Sequence, residues 1–433
     1  MFDYQQEPVR TIMMIDSKSF YASVESVERG LNPLKSILVV VSQAPNTGGG
    51  GLVLAASPMA KKLYGISNVS RYYELPDDPR LLKVPPRMNL YIKKNLEINA
   101  IFQKYAARED IHVYSIDESM LDLTQSWRLY GRSPQETARK IQQEIRAKVG
   151  VYTTVGIGDN PLLAKLAMDI EAKHSHSLMA TWHYQTVPDT IWQIQNLTDV
   201  WGIGERTAIR LGKLGITNMY QLAHTDPYAL QANMGVIGAQ LFATAWGIDR
   251  SIIAQKYHPI SKSYGNSQVL PRNYNQAADI EVVLREIAEQ VGARIRKRHL
   301  QTGLVTIALG QAQKSTKTGR SFSSHQAKIT PTNLNAELTQ VVLGLFRAHW
   351  NGAPLRNLSV SYGALRADRS QQLNFFETTQ TQVQRRRRDF VVDQLRQRYG
   401  FKTIVKASSL MQGGTAIQRA GLVGGHNGGN SYE

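Results

Sequence analysis

The sequence predicts a multidomain protein of the α/β (α+β) class, on three observations. Its 433 residues correspond to roughly three domains at ~150 residues each. Before residue 180, short apolar runs alternate with helix-periodic stretches, and two of the runs close on an acid. Beyond residue 262 the order becomes strand, helix, strand, strand, helix, strand, which suits a sheet carrying two helices.

The elements follow in chain order. TIMMID at 11–16 reads as a buried strand that delivers Asp16 at its edge, and FYASVESVERG continues with helical spacing through Phe20, Val24 and Val27. ILVVV at 37–41 and GLVLAA at 51–56 flank a turn-rich PNTGGGG at 45–51. No Lys-Ser or Lys-Thr follows those glycines, so they form a hairpin loop rather than a phosphate loop. HVYSID at 112–117 predicts a second strand, SMLDLT at 119–124 a short third. Ser133-Pro134-Gln135-Glu136 is a capping-box signature with Pro at the first helical position, and Ile141, Ile145 and Val149 give that helix one apolar stripe. YTTVGIG at 152–158 returns as a strand.

Residues 196–250 change to short helices with paired glycines, as in LTDVWGIGERTAIRLGKLGI and NMGVIGAQL. The third unit pairs the strands SYGNSQVL, LVTIAL, HQAKIT and LRNLSVSYG with helices over about 277–299 and 333–349. After Ala367 the chain turns Gln- and Arg-rich, with RRRR at 385–388, and its glycine-rich end predicts disorder.

Composition narrows the chemistry. With no cysteine, disulfides, thiolate metal sites and a cysteine nucleophile are excluded. The apolar runs are too short to span a bilayer and MFDYQQEP does not open a signal peptide, so a soluble, cytoplasmic protein is expected, and it is the motifs below that leave no membrane among its partners. The net charge of +17 is unevenly spread. Residues 1–261 hold 27 basic and 24 acidic side chains, 262–366 hold 14 and 5, and 367–433 hold 10 and 5. An excess concentrated in the C-terminal part reads as a grip on a polyanion, either nucleic acid or an anionic membrane surface.

Asp16, Asp117 and Glu118 are the candidate chemical residues. An acid at the end of an apolar strand is costly unless a cation neutralises it. Three acids at neighbouring strand ends suit two divalent ions about 4 Å apart, the arrangement for in-line phosphoryl transfer. Oxygen ligands without Cys or His favour Mg²⁺ or Mn²⁺ over Zn²⁺. Adjacent strand residues point to opposite faces, so Asp117 and Glu118 must sit at a bend if both are to face the ions. Spacing alone favours a solvated turn with an Asp-Glu pair; the surrounding motifs tip the balance to chemistry.

MIDSKSFYASVE at 14–25, YSIDESMLDLT at 114–124 and VGIGDNPLLAKLAMDIEAK at 155–173 together resemble the Y-family translesion DNA polymerases. Within that family the chain is similar to the UmuC-like, ImpB/MucB/SamB branch of UV-damage-repair proteins in Gram-positive bacteria. The resemblance spans roughly residues 10–377 and keeps the family's motif order and spacing. It implies a right-hand polymerase with a palm (1–22 and 86–180), small fingers (23–85), a helix-hairpin-helix thumb (181–257) and a ferredoxin-like little finger (258–366). A basic tail with a clamp-binding motif (367–433) would follow.

Carried over by motif, the resemblance makes Asp16, Asp117 and Glu118 the metal-binding acids, with Ser17 lending its backbone carbonyl to one of two Mg²⁺ ions, replaceable by Mn²⁺. Tyr21 matches the steric gate that rejects a ribose 2′-hydroxyl; as a lone tyrosine at helical spacing it also fits an ordinary core aromatic. Lys61, with Lys62 as its alternative, and Lys173 match the lysines on the triphosphate of the incoming deoxynucleotide, Lys165 being a weaker candidate; helix lysines are also commonly just solvated. The family's tyrosine near Pro58 is missing.

Gly202-Ile203-Gly204 resembles the hairpin whose backbone N–H groups meet a DNA phosphate. Arg296 and Arg298, in RIRKRH at 294–299, would add duplex contacts, although part of that charge complements a helix dipole. Gln372, Leu373, Phe375 and Phe376 of QLNFF resemble the peptide that bacterial polymerases place on the sliding clamp (the beta subunit). Packing of those aromatics on the preceding domain is the alternative. The implied partners are primer-template DNA, deoxynucleoside triphosphates, the clamp and accessory proteins of an SOS-type response. The implied activity is template-directed synthesis past damaged bases, without proofreading. A non-catalytic DNA-binding or regulatory protein on the same fold is the competing class, and the intact acidic set argues against it. A nucleotidyl cyclase with a similar palm would need neither the clamp motif nor the basic C-terminal part.

Overall fold

The computed structural model describes residues 2–42, 51–313, 321–369, 378–423 and 426–427. Most of the glycine loop at 45–51, most of the glycine-rich end and the QLNFF residues Gln372, Leu373, Phe375 and Phe376 lie outside the described residues. The chain divides into two compact units, Met1–Ser42 with Leu52–Tyr257, and one built on His258–Glu433.

In the first unit the run of 12–15 is almost fully buried and forms β1 (Ile12–Ser17), followed by α1 (Phe20–Val27), β2 (Leu38–Ser42), β3 (Leu52–Ala56) and α2 (Pro58–Tyr64). Next come β4 (Leu82–Val84), α3 (Met88–Phe102), β5 (Ile111–Val113), β6 (Glu118–Asp122), α4 (Pro134–Val149), β7 (Thr153–Gly158), α5 (Pro161–Leu166) and β8 (Met179–Trp182). The main sheet has the order β5-β6-β1-β7-β8, with β1 antiparallel to both its neighbours. A smaller sheet, β3-β2-β4, carries the expected hairpin and α2.

Three local expectations are corrected. The strand expected over 112–117 stops at Val113, because Tyr114 and Ser115 both donate their N–H to the Glu118 carbonyl and turn the chain. The capping box of α4 is displaced by one residue: Ser133 Oγ accepts from the Glu136 N–H as expected, but Glu136 answers to the N–H of Arg132. The helix of AKLAMDIEAK is α-helical only to Leu166 and continues as a π-helical turn over Ala167–Ala172; such turns recur at functional sites.

Residues 181–257 form short 3₁₀ turns and four short helices, α6 (Glu205–Gly212), α7 (Met219–Ala223), α8 (Pro227–Met234) and α9 (Val236–Ala245), gathered on a core that includes Trp182, Tyr184, Leu211, Leu222 and Trp246.

The second unit comprises β9 (Tyr264–Tyr274), α10 (Ala277–Arg296), β10 (Leu300–Gln311), β11 (Phe322–Thr332), α11 (Asn335–His349) and β12 (Leu355–Ala367). The chain order is the expected one, and the sheet runs β11-β10-β12-β9 with every neighbouring pair antiparallel. Alternate residues Val305, Ile307, Leu358, Val360 and Tyr362 pack with Ile287, Val291, Val342 and Phe346 of the two helices.

The Gln- and Arg-rich stretch, for which the sequence predicts no element, forms α12 (Thr379–Tyr399), which contains the RRRR run. Its acids Asp389 and Asp393, one turn apart, face inward. Asp389 accepts the N–H of Asn335 at the start of α11, and Asp393 pairs with Arg296 at 2.6 Å. This overturns Arg296 as a DNA contact. Its guanidinium is spent on Asp393, the Asn333 carbonyl and Asn335 Oδ1, with only 9% of the side chain exposed. Arg298 stays exposed, its guanidinium over the Tyr264 ring. No helix among the described residues is long and apolar enough to cross a membrane.

Candidate active site

The register of the main sheet sets two acids face to face. Asp16 of β1 lies directly opposite Glu118 of β6, and opposite Thr154 of β7 on its other side. Like charges at such a position repel, so something must offset them. Lys165 does so from α5: its Nζ donates to Glu118 Oε1 at 2.8 Å and reaches Asp169 at 3.1 Å. Lys173, after the π-helical turn, donates to Asp169 at 2.7 Å. Burial pushes Asp16 up to about 6, and Asp117 and Glu118 push the same way while Lys173 and Lys165 oppose them. Lys173 sits above its ordinary value because Asp16 and Asp169 outweigh its burial.

Gly156 and Gly158 explain how the lysine-bearing segment comes so close. A Cβ on Gly156 would stand 2.1 Å from the Ala164 carbonyl oxygen, and one on Gly158 2.3 Å from the Ala164 nitrogen. Only a hydrogen at both positions lets α5 lie on β7 and β1, where Ala164 and Met168 pack on Ile12, Met14 and Met120.

Asp117 sits in the bend predicted for it. Ser115 Oγ donates to Asp117 Oδ1 at 2.6 Å and accepts the N–H groups of Asp117 and Glu118, and Asn95 holds the Ile116 carbonyl from α3. Ser17, beside Asp16, donates its N–H to the Asp117 carbonyl and so locks the bend onto β1.

Asp16, Asp117 and Glu118 line one cavity of about 850 Å³ together with Lys18, Ser19, Tyr21, Pro58, Lys61, Lys62, Asn68 and Lys173. Both lysines of the Lys61/Lys62 alternative therefore face it. Desolvation lowers Lys61 and Lys18 below the ordinary lysine value, and Asp16 pulls each back up. Ser19 opens α1 in the left-handed region, φ 48°, a strained start for a non-glycine residue. Tyr21 follows, its ring stacked on Tyr91 at 4.4 Å and 16°. Tyr91 in turn donates to Glu25, which has no exposed surface and also pairs with Arg87 and Arg29. Tyr21 is thus both a cavity-lining residue and part of an aromatic stack.

Sequence reasoning missed Lys18, Asn68 and the Tyr91–Glu25–Arg87 support, and ranked Lys165 as a phosphate contact rather than a partner of Glu118. The legible signal was Glu25, an acid one turn beyond Tyr21 on the helix that follows a buried strand. Among the described residues no three His, Asp or Glu side chains are gathered into a ready ligand set; Glu118 is drawn to Lys165 and Asp117 to Ser115.

The expected glycine hairpin stands at the start of α6. Gly202 has φ +92°, Gly204 is the N-cap, and a cavity of about 490 Å³ runs from Thr198 through Gly204 to Asp169.

Known proteins share this architecture. The impB/mucB/samB family signature covers residues 15–169, and the signature of that family's C-terminal domain covers 261–375. A putative UV-damage repair protein of Bacillus subtilis (strain 168), UvrX, is 40% identical over 426 residues, 98% of this chain and 100% of that protein. DNA polymerase IV 2 of the same strain is 35% identical over 420 residues, 96% of this chain and 98% of the relative. A solved Y-family DNA polymerase chimera of Dbh and Dpo4 has the same fold at a TM-score of 0.67, covering 82% of this chain and 99% of the other at 24% identity. With full-length relatives at this identity and both signatures in order, the chain belongs to the impB/mucB/samB family, the UmuC-like group of Y-family DNA polymerases.

Proposed function

We infer that this chain is a template-directed DNA polymerase that synthesises past damaged bases. The observation that carries the reading is the meeting of Asp16, Asp117 and Glu118 with Lys18, Lys61 and Lys173 in one cavity bordered by Tyr21. Acids and ammonium groups facing one space suit a polyanionic substrate brought in with divalent cations.

The donor chemistry fits such ions: carboxylates with no thiolate or imidazole beside them, one of which, Asp16, is raised chiefly by burial and further by Asp117 and Glu118, a cost that a cation would relieve. Asp16, Asp117, Glu118 and the Ser17 carbonyl would hold two Mg²⁺, or Mn²⁺ in their place. Ions held there would supply Lewis acidity for the primer 3′-hydroxyl and countercharge for the leaving pyrophosphate. The chain's own groups do the rest. Lys61 and Lys173 bind the triphosphate, Lys165 holds Glu118, and Tyr21, backed by Tyr91, lies under the sugar and excludes a 2′-hydroxyl. Palm, fingers, thumb and little finger follow the boundaries expected from the sequence. Gly202 and Gly204 hold the DNA backbone without reading sequence, Arg298 adds a phosphate contact, and the QLNFF segment binds the clamp. The protein works in the cytoplasm, within an SOS-type response.

Primer extension with Mg²⁺ on undamaged and lesion-bearing templates tests the reading; no synthesis on either would overturn it. Tyr21→Ala is expected to raise ribonucleotide incorporation by ~10²-fold or more, the size of a discrimination built on one excluded group. Single-nucleotide insertion with ATP against dATP reads it, and unchanged sugar selectivity removes the gate role. Replacing both Phe375 and Phe376 by Ala should abolish co-elution with the clamp on a sizing column while extension without the clamp is unaffected. Persistent co-elution would reassign the motif to internal packing.

A further inference from the structure

We propose that Trp201 and Tyr114 are positioning residues that tie the glycine hairpin to the catalytic bend, so that a strand held at the hairpin sets the carboxylate of Glu118. The inference rests on the polymerase reading of that site.

Trp201 immediately precedes Gly202, and its indole N–H donates to the Tyr114 hydroxyl at 3.1 Å. The two rings meet edge to face, 5.9 Å apart at 78°. The body of Trp201 packs on the cluster of Ile12, Met14, Met120, Ala164 and Met168, the residues that seat β1 and the π-helical turn. Tyr114 opens the catalytic bend, where its N–H bonds the Glu118 carbonyl. Its ring also lies 5.8 Å from Lys165 Nζ, the ammonium that holds Glu118 at 2.8 Å. A continuous path therefore leads from Gly202 through Trp201, Tyr114 and Lys165 to a metal-binding carboxylate. A second arm runs beside it: Asp169 borders the cavity of Trp201–Gly204 and holds both Lys165 and Lys173.

Core packing accounts for the body of Trp201 but not for its bond to Tyr114. Tyr114 is 44% exposed and the bond between the two side chains is solvent-exposed. An exposed bond of this kind adds little to folding, but it fixes the ring that faces the Lys165 ammonium. Aim matters at that ammonium, since a shift of about 1 Å in a positioned group costs catalysis up to ~10²-fold.

The test uses the full chain with Trp201→Ala, Tyr114→Ala, the double variant and Trp201→Phe. Single-turnover insertion at saturating DNA gives the rate constant and nucleotide affinity, fluorescence anisotropy gives DNA affinity, and thermal melting checks folding. Each alanine variant should lower the rate constant by ~10- to 100-fold, with DNA affinity within about 3-fold; melting should be nearly unchanged in Tyr114→Ala and lowered in Trp201→Ala, which is assayed below its transition because the Trp201 ring packs on a core cluster. The double variant should be no slower than the worse single, because residues acting along one path do not add. Trp201→Phe, which keeps a ring on the bend, should recover most of the rate. An undiminished rate in both alanine variants overturns the proposal, as do losses that multiply in the double variant or appear only in DNA affinity. Asp117→Asn run alongside separates the two readings: its inactivity beside a fully active Trp201→Ala refutes the brace alone, and its full activity refutes the carboxylate assignment beneath it.

Discussion

Asp117→Asn is expected to lower primer extension by ~10³-fold or more, the scale on which losing one preorganised charge at a transition state is felt, while DNA affinity should stay within a few-fold. The substitution is nearly isosteric, and the bond from Ser115 Oγ to the Oδ1 position is one an amide oxygen still accepts, so the bend keeps its shape. What is lost is one negative charge of the three facing the cavity. The groups proposed to hold DNA, in the basic C-terminal part and at the hairpin, do not include Asp117. Extension at the wild-type rate by purified, folded Asp117→Asn would remove this residue from the chemistry.

Gly156→Val is expected to cost folding about 3 kcal/mol or more, at or above the upper end of ordinary overpacking. The atoms in the way are the Ala164 carbonyl oxygen and the Met168 backbone nitrogen, 2.1 and 2.4 Å from a Cβ at that position, and backbone cannot swing aside as a side-chain end can. The chain relieves the clash only by lifting α5 off the sheet, which carries Lys165 away from Glu118 and Lys173 away from the cavity it lines with Asp16. Urea unfolding and primer extension should therefore fail together. Gly212→Ala is the comparison: a Cβ there meets nothing within 4 Å, and the change should be neutral or mildly stabilising within α6. A Gly156→Val protein with wild-type unfolding midpoint and activity would refute the close-packing account.

The strand that carries Asp16 and the bend before Glu118 were legible because each rule that places them is local, whereas the resemblance of the surrounding motifs was needed to separate the three acids from a solvated turn. A buried strand ending in Asp16 and a bend at 115–117 need only period-two alternation and the burial cost of a charge. The little-finger unit was equally legible from its order of strands and helices, since amphipathic periods survive without knowledge of partners. Tyr21 and Lys173 needed more than spacing. Their local patterns suit a core aromatic and a solvated helix lysine, and only the resemblance of the surrounding motifs raised them.

What the sequence by itself determined, then, is the set of chemical groups and the strands and helices that bear them. The tertiary structure decided which of those groups meet. Glu118 and Lys165 are far apart along the chain and touch only because two glycines let a helix lie on the sheet. Arg296 had the same local signature as Arg298, yet the inward acids of α12, about a hundred residues later, consume its charge. Tyr114 and Trp201 carried no signal of their own and acquire one by standing against each other across the bend. The physical reason is common to all of these. Periodicity and capping act within a few residues, whereas the pairing of charges and rings depends on distances that only the folded chain sets.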